Sequence, residues 1–203
     1  MEQLGIEDEI TRIAEPIVRS LGLTIWGIEL ISSGRTMLRI YVDTLPDAQD
    51  APMTEPDVQE STGESGGRGP SIDQCANISR HVGLALEVED IIPQAYVLEV
   101  SSPGLERPFF ALGQLAPYVG SDLKLKLDNM QPELPGRKHL RGKLQTVGEH
   151  GFTLLVYDAP EGMQLSICWD NVRKVMLAPD LPFSNVERPG KKKSAFKADA
   201  TPK

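Results

Sequence analysis

Apolar residues recur at steps of four and three through the first segment: Ile6, Ile10, Ile13, Ile17 and Leu21. This spacing places all five on one face of a helix over roughly residues 5–21, with Gly22 positioned to end it. Pro16 interrupts the pattern, because it removes a hydrogen bond to the Arg12 carbonyl and crowds it, so a kink or a later start is expected. Two strands follow, Thr24 to Ile31 and Met37 to Asp43, joined by the turn Ser32-Ser33-Gly34-Arg35. In the second strand Leu38, Ile40 and Val42 alternate with Arg39, Tyr41 and Asp43, so one side is buried and the other polar. Ser71 followed by Gln74 predicts a capping box that opens a second helix, reaching about Leu86 with Ile72, Cys75, Ser79, Val82 and Leu86 inward. Tyr96 to Ser101 is a third strand.

Beyond Gly120 the period shortens. Leu123, Leu125 and Leu127 alternate with Asp122, Lys124 and Lys126, and further short strands are expected at 141–147, 152–157, 164–169 and 173–177. Five short strands punctuated by turn residues predict a small SH3-like or Sm-like barrel, and a short helical turn is expected in the link at 109–119. The expected fold class is therefore α+β with two domains: an N-terminal α+β domain over 1–108 and a C-terminal barrel with its connecting segment over 109–182.

Composition alters that picture at two places. Residues 46–70 hold four prolines, four glycines and six acids against one base, Arg68, and too few apolar side chains to offset the entropy of ordering. This segment is expected to be a disordered acidic insertion. The tail over 183–203, with Lys191, Lys192, Lys193, Lys197 and Lys203, is expected to be disordered as well. The net charge of −8 conceals an asymmetry: residues 1–108 sum to −12 and residues 109–203 to +4. Such a division suits two kinds of partner, a basic one for the acidic half and a phosphate-bearing one for the basic half. The longest uncharged stretch, Pro108 to Ser121, is too short to span a membrane, and Met1-Glu2-Gln3 opens no secretion signal. A cytoplasmic protein without membrane contact is expected, by default a monomer.

The search for catalytic chemistry yields little. The sequence offers no Gly-x-Ser-x-Gly nucleophile elbow, since the one string of that form, Gly63-Glu64-Ser65-Gly66-Gly67, follows no strand, and it has neither a phosphate-binding P-loop nor His-Glu-x-x-His. Cys75 and Cys168 form no Cys-x-x-Cys pair, and three scattered histidines supply no zinc spacing, so neither metal nor cofactor is expected. The glycines at 63, 66, 67 and 69 follow no strand and make a poor phosphate cradle. His81 reads as a solvated or packed helix residue, and Cys75 as a packing residue.

Two constellations stand out. In the first, a strand delivers Ser101 and Ser102 into a Pro103-Gly104 turn, followed by Glu106-Arg107-Pro108. Proline then glycine favours a type II turn. Arg107 could tie this turn to the body of the domain, or grip a phosphate or carboxylate of a partner; both readings are open. In the second, Lys124 and Lys126 share one side of a strand, and His139, Arg141 and Lys143 share one side of another, with Arg137 and Lys138 at the end. If the strands pair, the two sides merge into a positive stripe. Like charges opposed across a ladder are mildly destabilising, a cost that an anionic ligand would relieve.

At these residues the chain resembles the bacterial ribosome maturation factor RimP family. The resemblance rests on Ser71-Ile72-Asp73-Gln74-Cys75 with Ile78-Ser79-Arg80, on YVLEVSSPGLERP at 96–108 continued by Phe109-Phe110, and on Trp169-Asp170-Asn171-Val172 with Arg173-Lys174 and Leu177-Ala178-Pro179. It spans roughly residues 5–180, and the SSPG-x-x-RP element is its most specific part. It implies an N-terminal α+β domain, an SH3-like barrel, and a non-enzymatic assembly factor that binds the free small ribosomal subunit and assists its late maturation. It further implies contact with ribosomal RNA and, through the barrel, with a small-subunit ribosomal protein near the decoding region. The acidic 46–70 insertion and the lysine tail depart from the common pattern. On this reading Ser101, Ser102, Gly104 and Arg107 form a partner-contacting turn, and Lys124, Lys126, Arg137, Lys138, Arg141 and Lys143 a partner-contacting basic face. The rival readings are a hydrolase using Ser101 or Ser102, for which no histidine lies nearby in sequence, and a general RNA-binding module of the Sm type.

Overall fold

A computed structural model describes residues 5–44, 69–157, 159 and 162–178. The insertion expected at 46–70, apart from Gly69 and Pro70, and the tail expected at 183–203 lie outside these described residues.

The first helix, α1 (Ile6–Ser20), runs through Pro16 and is not delayed by it. Its inner line is Ile10, Ala14 and Val18, all fully buried, while Ile6, Ile13, Ile17 and Leu21 pack along the margin of the same core. The apolar stripe is thus broader than the isoleucine spacing implies. Strands β1 (Leu23–Ser33) and β2 (Arg35–Thr44) form an antiparallel hairpin. Helix α2 (Ile72–Glu89) then carries the chain to β3 (Tyr96–Ser101), which pairs parallel with β2. The capping box forms as expected: Ser71 Oγ accepts from the Gln74 N–H at 3.2 Å, and Gln74 Oε1 accepts from the Ser71 N–H at 2.9 Å. Ile78, Val82 and Leu86 make the buried line of α2, whereas Ile72, expected inward, sits on the first turn and is 88% exposed. Both helices pack on one side of the β1-β2-β3 sheet, where Leu38, Ile40 and Val42 are fully buried. Arg39, Tyr41 and Asp43 lie on the other side, as strand alternation requires.

The rest of the chain forms a second sheet: β4 (Pro108–Phe109), β5 (Asp122–Leu127), β6 (His139–Val147), β7 (Gly151–Val156), β8 (Gln164–Cys168) and β9 (Val172–Leu177). Their order is β4-β9-β5-β6-β7-β8, with every pairing antiparallel. A 3₁₀ segment at Leu112–Tyr118 supplies the helical turn of the link. Buried residues from all six strands fall in one cluster, so the sheet wraps a single core. Among the described residues the ladder is open: β4 and β8 are its two ends and do not pair with each other, so of the expected small barrel the pairing shows one antiparallel sheet around one core. The unexpected sixth strand is only two residues long and begins with a proline, which donates no ladder hydrogen bond.

Candidate functional site

The segment 101–110 lies where the two sheets meet. Gly104 adopts φ +69°, which side-chain-bearing residues rarely do, and the turn itself falls at Leu105 and Glu106, just after the expected Pro103-Gly104 pair. Ser101 is half-buried, Ser102 and Gly104 are exposed, and Leu105 projects outward at 69% exposure. Among the described residues neither serine hydrogen-bonds a histidine, and no group of three His, Cys, Asp or Glu side chains is gathered as metal ligands.

Arg107 does not project outward with the turn. Its Nη1 lies 3.0 Å from Asp43 Oδ2 at the end of β2 and donates to the Tyr118 hydroxyl at 2.7 Å. Its guanidinium also lies 4.7 Å from the centre of the Trp26 ring, within cation–π range. Asp43 is only 3% exposed. Its Oδ1 accepts from the Thr44 N–H, while Oδ2 accepts no hydrogen bond, leaving the guanidinium charge as its compensation. The pair floors a cavity of about 190 Å³ lined also by Ser102, Pro103, Gly104 and Leu105.

Trp26 completes the junction, and a β-bulge puts it there. Pairing of β1 with β2 skips from Ile25 to Gly27, and the indole falls in the break. Its Nε1 donates to the Pro108 carbonyl at 2.6 Å, and its ring packs on Phe109 and against the core of the second sheet. Gln114 Nε2 donates to the Trp26 carbonyl at 2.6 Å, and Gln114 Oε1 accepts from the Phe110 N–H. Gly27 lets Phe110 approach: a Cβ there would stand 1.9 Å from the ring. Sequence reasoning missed Trp26, Asp43 and Tyr118. The available signals were a tryptophan followed by glycine inside a strand and an aspartate ending the polar side of β2.

A second junction runs along the polar side of the first sheet. Arg39 lies in register between Glu29 on β1 and Glu99 on β3. It donates to Glu99 Oε2 at 2.9 Å and lies 3.6 Å from Glu29. Hydrogen bonds to Glu99, and secondarily to Tyr41, push its pKa above that of an ordinary guanidinium, so it stays charged. Glu29 in turn accepts from Lys174 Nζ of β9 at 2.8 Å.

The basic residues of the second sheet fall in register. Lys124 opposes Arg141, Lys126 opposes His139, and Asp122 opposes Lys143 across β5 and β6. On the other flank of β5, Lys174 opposes Lys126 and Met176 opposes Lys124. The positive stripe therefore forms, with Lys174 as a member that strand alternation alone did not place. Its charges are unequally compensated. Lys124 pairs with Glu106 at 2.6 Å, Arg141 lies 3.8 Å from Asp122, and Lys138 donates to the Asp128 carbonyl. Lys126, His139 and Lys143 have no ion-pair or hydrogen-bond partner among the described residues. Arg137 and Lys138 are exposed on the β5–β6 connection.

The profile of the RimP N-terminal domain matches residues 13–106. The chain is 42% identical over 203 residues to a ribosome maturation factor RimP of Nitratidesulfovibrio vulgaris, covering 95% of this chain and 89% of that protein. A protein of the same name from Desulfovibrio desulfuricans is 37% identical, over 100% of this chain and 90% of its own length. One from Lawsonia intracellularis is 37% identical over 87% of this chain and 89% of its own.

Proposed function

The chain belongs to the RimP family, and from that premise we propose that it is a ribosome maturation factor. It binds the free small ribosomal subunit in the cytoplasm and assists its late maturation without making or breaking a covalent bond. The observation that carries this reading is the register of the β9-β5-β6 cations, which sets basic residues side by side with too few acids to neutralise them. An electropositive row of this kind gains free energy by displacing counterions from a phosphate backbone.

In this account the curled C-terminal sheet is the SH3-like module, forming a domain of its own over 109–182. It engages ribosomal RNA through Lys124, Lys126, Arg137, Lys138, Arg141 and Lys143, and a small-subunit ribosomal protein near the decoding region. The acidic N-terminal half favours basic ribosomal-protein segments. The exposed turn at Ser101, Ser102 and Gly104 contacts a partner, while Arg107 holds that turn in place from beneath. The protein works as a monomer that keeps an immature region of the subunit correctly placed.

Co-sedimentation with isolated small subunits, large subunits and joined ribosomes tests this reading. Selective binding to free small subunits is expected, with an affinity that falls as salt rises. Charge reversal at Lys124, Lys126, Arg141 and Lys143 should weaken it and flatten the salt dependence. Equal binding to every particle would reduce the reading to nonspecific attraction for RNA, and binding unchanged by charge reversal would remove the basic face from it.

A further inference from the structure

We propose that the depression at the crossing of β5, β6 and β9 is a subsite for one unpaired RNA nucleotide, its base on Met176 and its phosphate on Lys126. This rests on the ribosome-maturation reading and names the ligand of the same face. The depression, about 220 Å³, is lined by Lys124, Leu125, Lys126, His139, Lys174 and Met176. It is smaller than the ~300–1,000 Å³ typical of sites for drug-sized ligands, a size suited to a single base.

The surface of the depression is almost wholly apolar, as the Met176 side chain, Leu125 and the aliphatic stems of the lysines supply, while the residues that line it end in ammonium groups and the His139 imidazole. Simple phosphate would satisfy the rim and leave the floor bare. A duplex presents phosphates and 2′-hydroxyls but hides its base faces. An unpaired nucleotide offers both a π-face and a phosphate.

The rim is poised for an anion. Lys174, Lys126 and His139 lie in one row across three strands, so each neighbour of Lys126 in that row is basic. Lys126 itself has no partner among the described residues. The flanking lysines are moderated, Lys174 by Glu29 and Lys124 by Glu106, which leaves Lys126 as the lysine of the depression without an acidic partner among the described residues. The two carboxylates also repel a phosphate set to either side of the depression, which favours a phosphate centred on Lys126.

The test is NMR titration of the full chain, with methyl-labelled methionine, against an oligoadenylate hexamer, an RNA hairpin stem and inorganic phosphate. The hexamer should shift the Met176 methyl and the His139 ring with saturation, and the stem should bind more weakly. Met176→Ala should weaken hexamer binding several-fold without altering its salt dependence, since it removes the sulfur and methyl contact with the base. Lys126→Gln should weaken it as well and flatten log Kd against log salt by about 0.7, the slope of one single-strand phosphate contact. Shifts as large with phosphate alone would overturn the subsite in favour of an adventitious ion, and stronger binding of the stem would overturn it in favour of backbone recognition. Absence of Met176 shifts would also overturn it. If Lys126→Gln and Met176→Ala leave hexamer binding intact while the fourfold charge reversal still abolishes co-sedimentation with small subunits, the subsite fails and the maturation-factor reading survives.

Discussion

Arg107 Nη1 lies 3.0 Å from Asp43 Oδ2, joining the segment that leaves the first sheet to the end of its central strand. Asp43 is almost wholly buried and Arg107 is 18% exposed, so neither charge has water as a ready substitute for the other. Arg107→Ala should therefore cost about 3 kcal/mol in chemical denaturation, most of it from the carboxylate left without compensation. Arg107→Lys should recover only part, because an ammonium cannot reproduce the planar contact with Trp26 while reaching Tyr118. Full stability in Arg107→Ala would show that the pair does not hold the junction.

Phe110 packs against Gly27 with no room for a side chain at that position. Gly27→Ala forces the ring to move and should destabilise by about 1–3 kcal/mol, the usual range for overpacking. Phe110→Ala alone loses its packing on Tyr41. The double variant should be less destabilised than the two single effects together predict, because the clash vanishes with the ring. Additive free energies in a double-mutant cycle would place the cost of Gly27→Ala elsewhere.

Ser71 organises the start of α2. Ser71→Ala removes the acceptor for the Gln74 N–H and should lower stability by about 1 kcal/mol. The loss should appear in thermal unfolding and in faster amide exchange over the first turn of the helix. Gln74 also donates to the Leu21 carbonyl at 3.3 Å, so Gln74→Ala should cost at least as much, loosening the end of α1 too.

The two thiols should be chemically distinct. Burial raises the Cys75 pKa, so less of the nucleophilic thiolate is present at any given pH, while Cys168 is exposed on the edge strand β8. Alkylation of the folded protein near neutral pH, followed by mass spectrometry, should modify Cys168 first. Cys75 should react as pH rises or on unfolding. Equal rates in the folded state would contradict the packing of Cys75 on its helix.

Locally encoded features were legible in the sequence. The cap at Ser71, the alternation of β2 and the extent of β3 follow from neighbours two to four residues apart, which is where periodicity and capping act. The basic row was legible for a related reason: strand alternation sets which side chains share a side, and β5 and β6, consecutive in the chain, pair antiparallel. What was not legible depends on distant partners. Arg107 could be read as a turn tie or as a partner contact, and only the fold shows Asp43 beside it. Trp26 entered the junction because a bulge turned it, and β4 gained strand character only from pairing with β9. Whether the second sheet closes was not legible, since alternation reports which side of a strand is buried but not whether the first and last strands meet.

Glu29 ties the stability of the junction to the proposed RNA subsite. One oxygen accepts from Lys174, and the other is buried without a hydrogen bond beside Arg39. Glu29→Gln keeps the shape and removes the charge. It should cost about 1 kcal/mol or less of stability, because both partners of Glu29 are partly exposed. The same change releases Lys174, whose ammonium then adds to the positive row beside Lys126. Oligoadenylate binding should tighten a few-fold, and its salt dependence should steepen by up to about 0.7, as one further cation becomes available to phosphate. Glu99→Gln is the control: it removes an acid paired with Arg39 from the opposite edge strand, β3, and Glu99 forms no ion pair with Lys174. It should leave RNA binding unchanged at a similar cost in stability. Tightening by both variants would mean that RNA responds to overall charge, and tightening by Glu29→Gln alone would mean that it responds to Lys174.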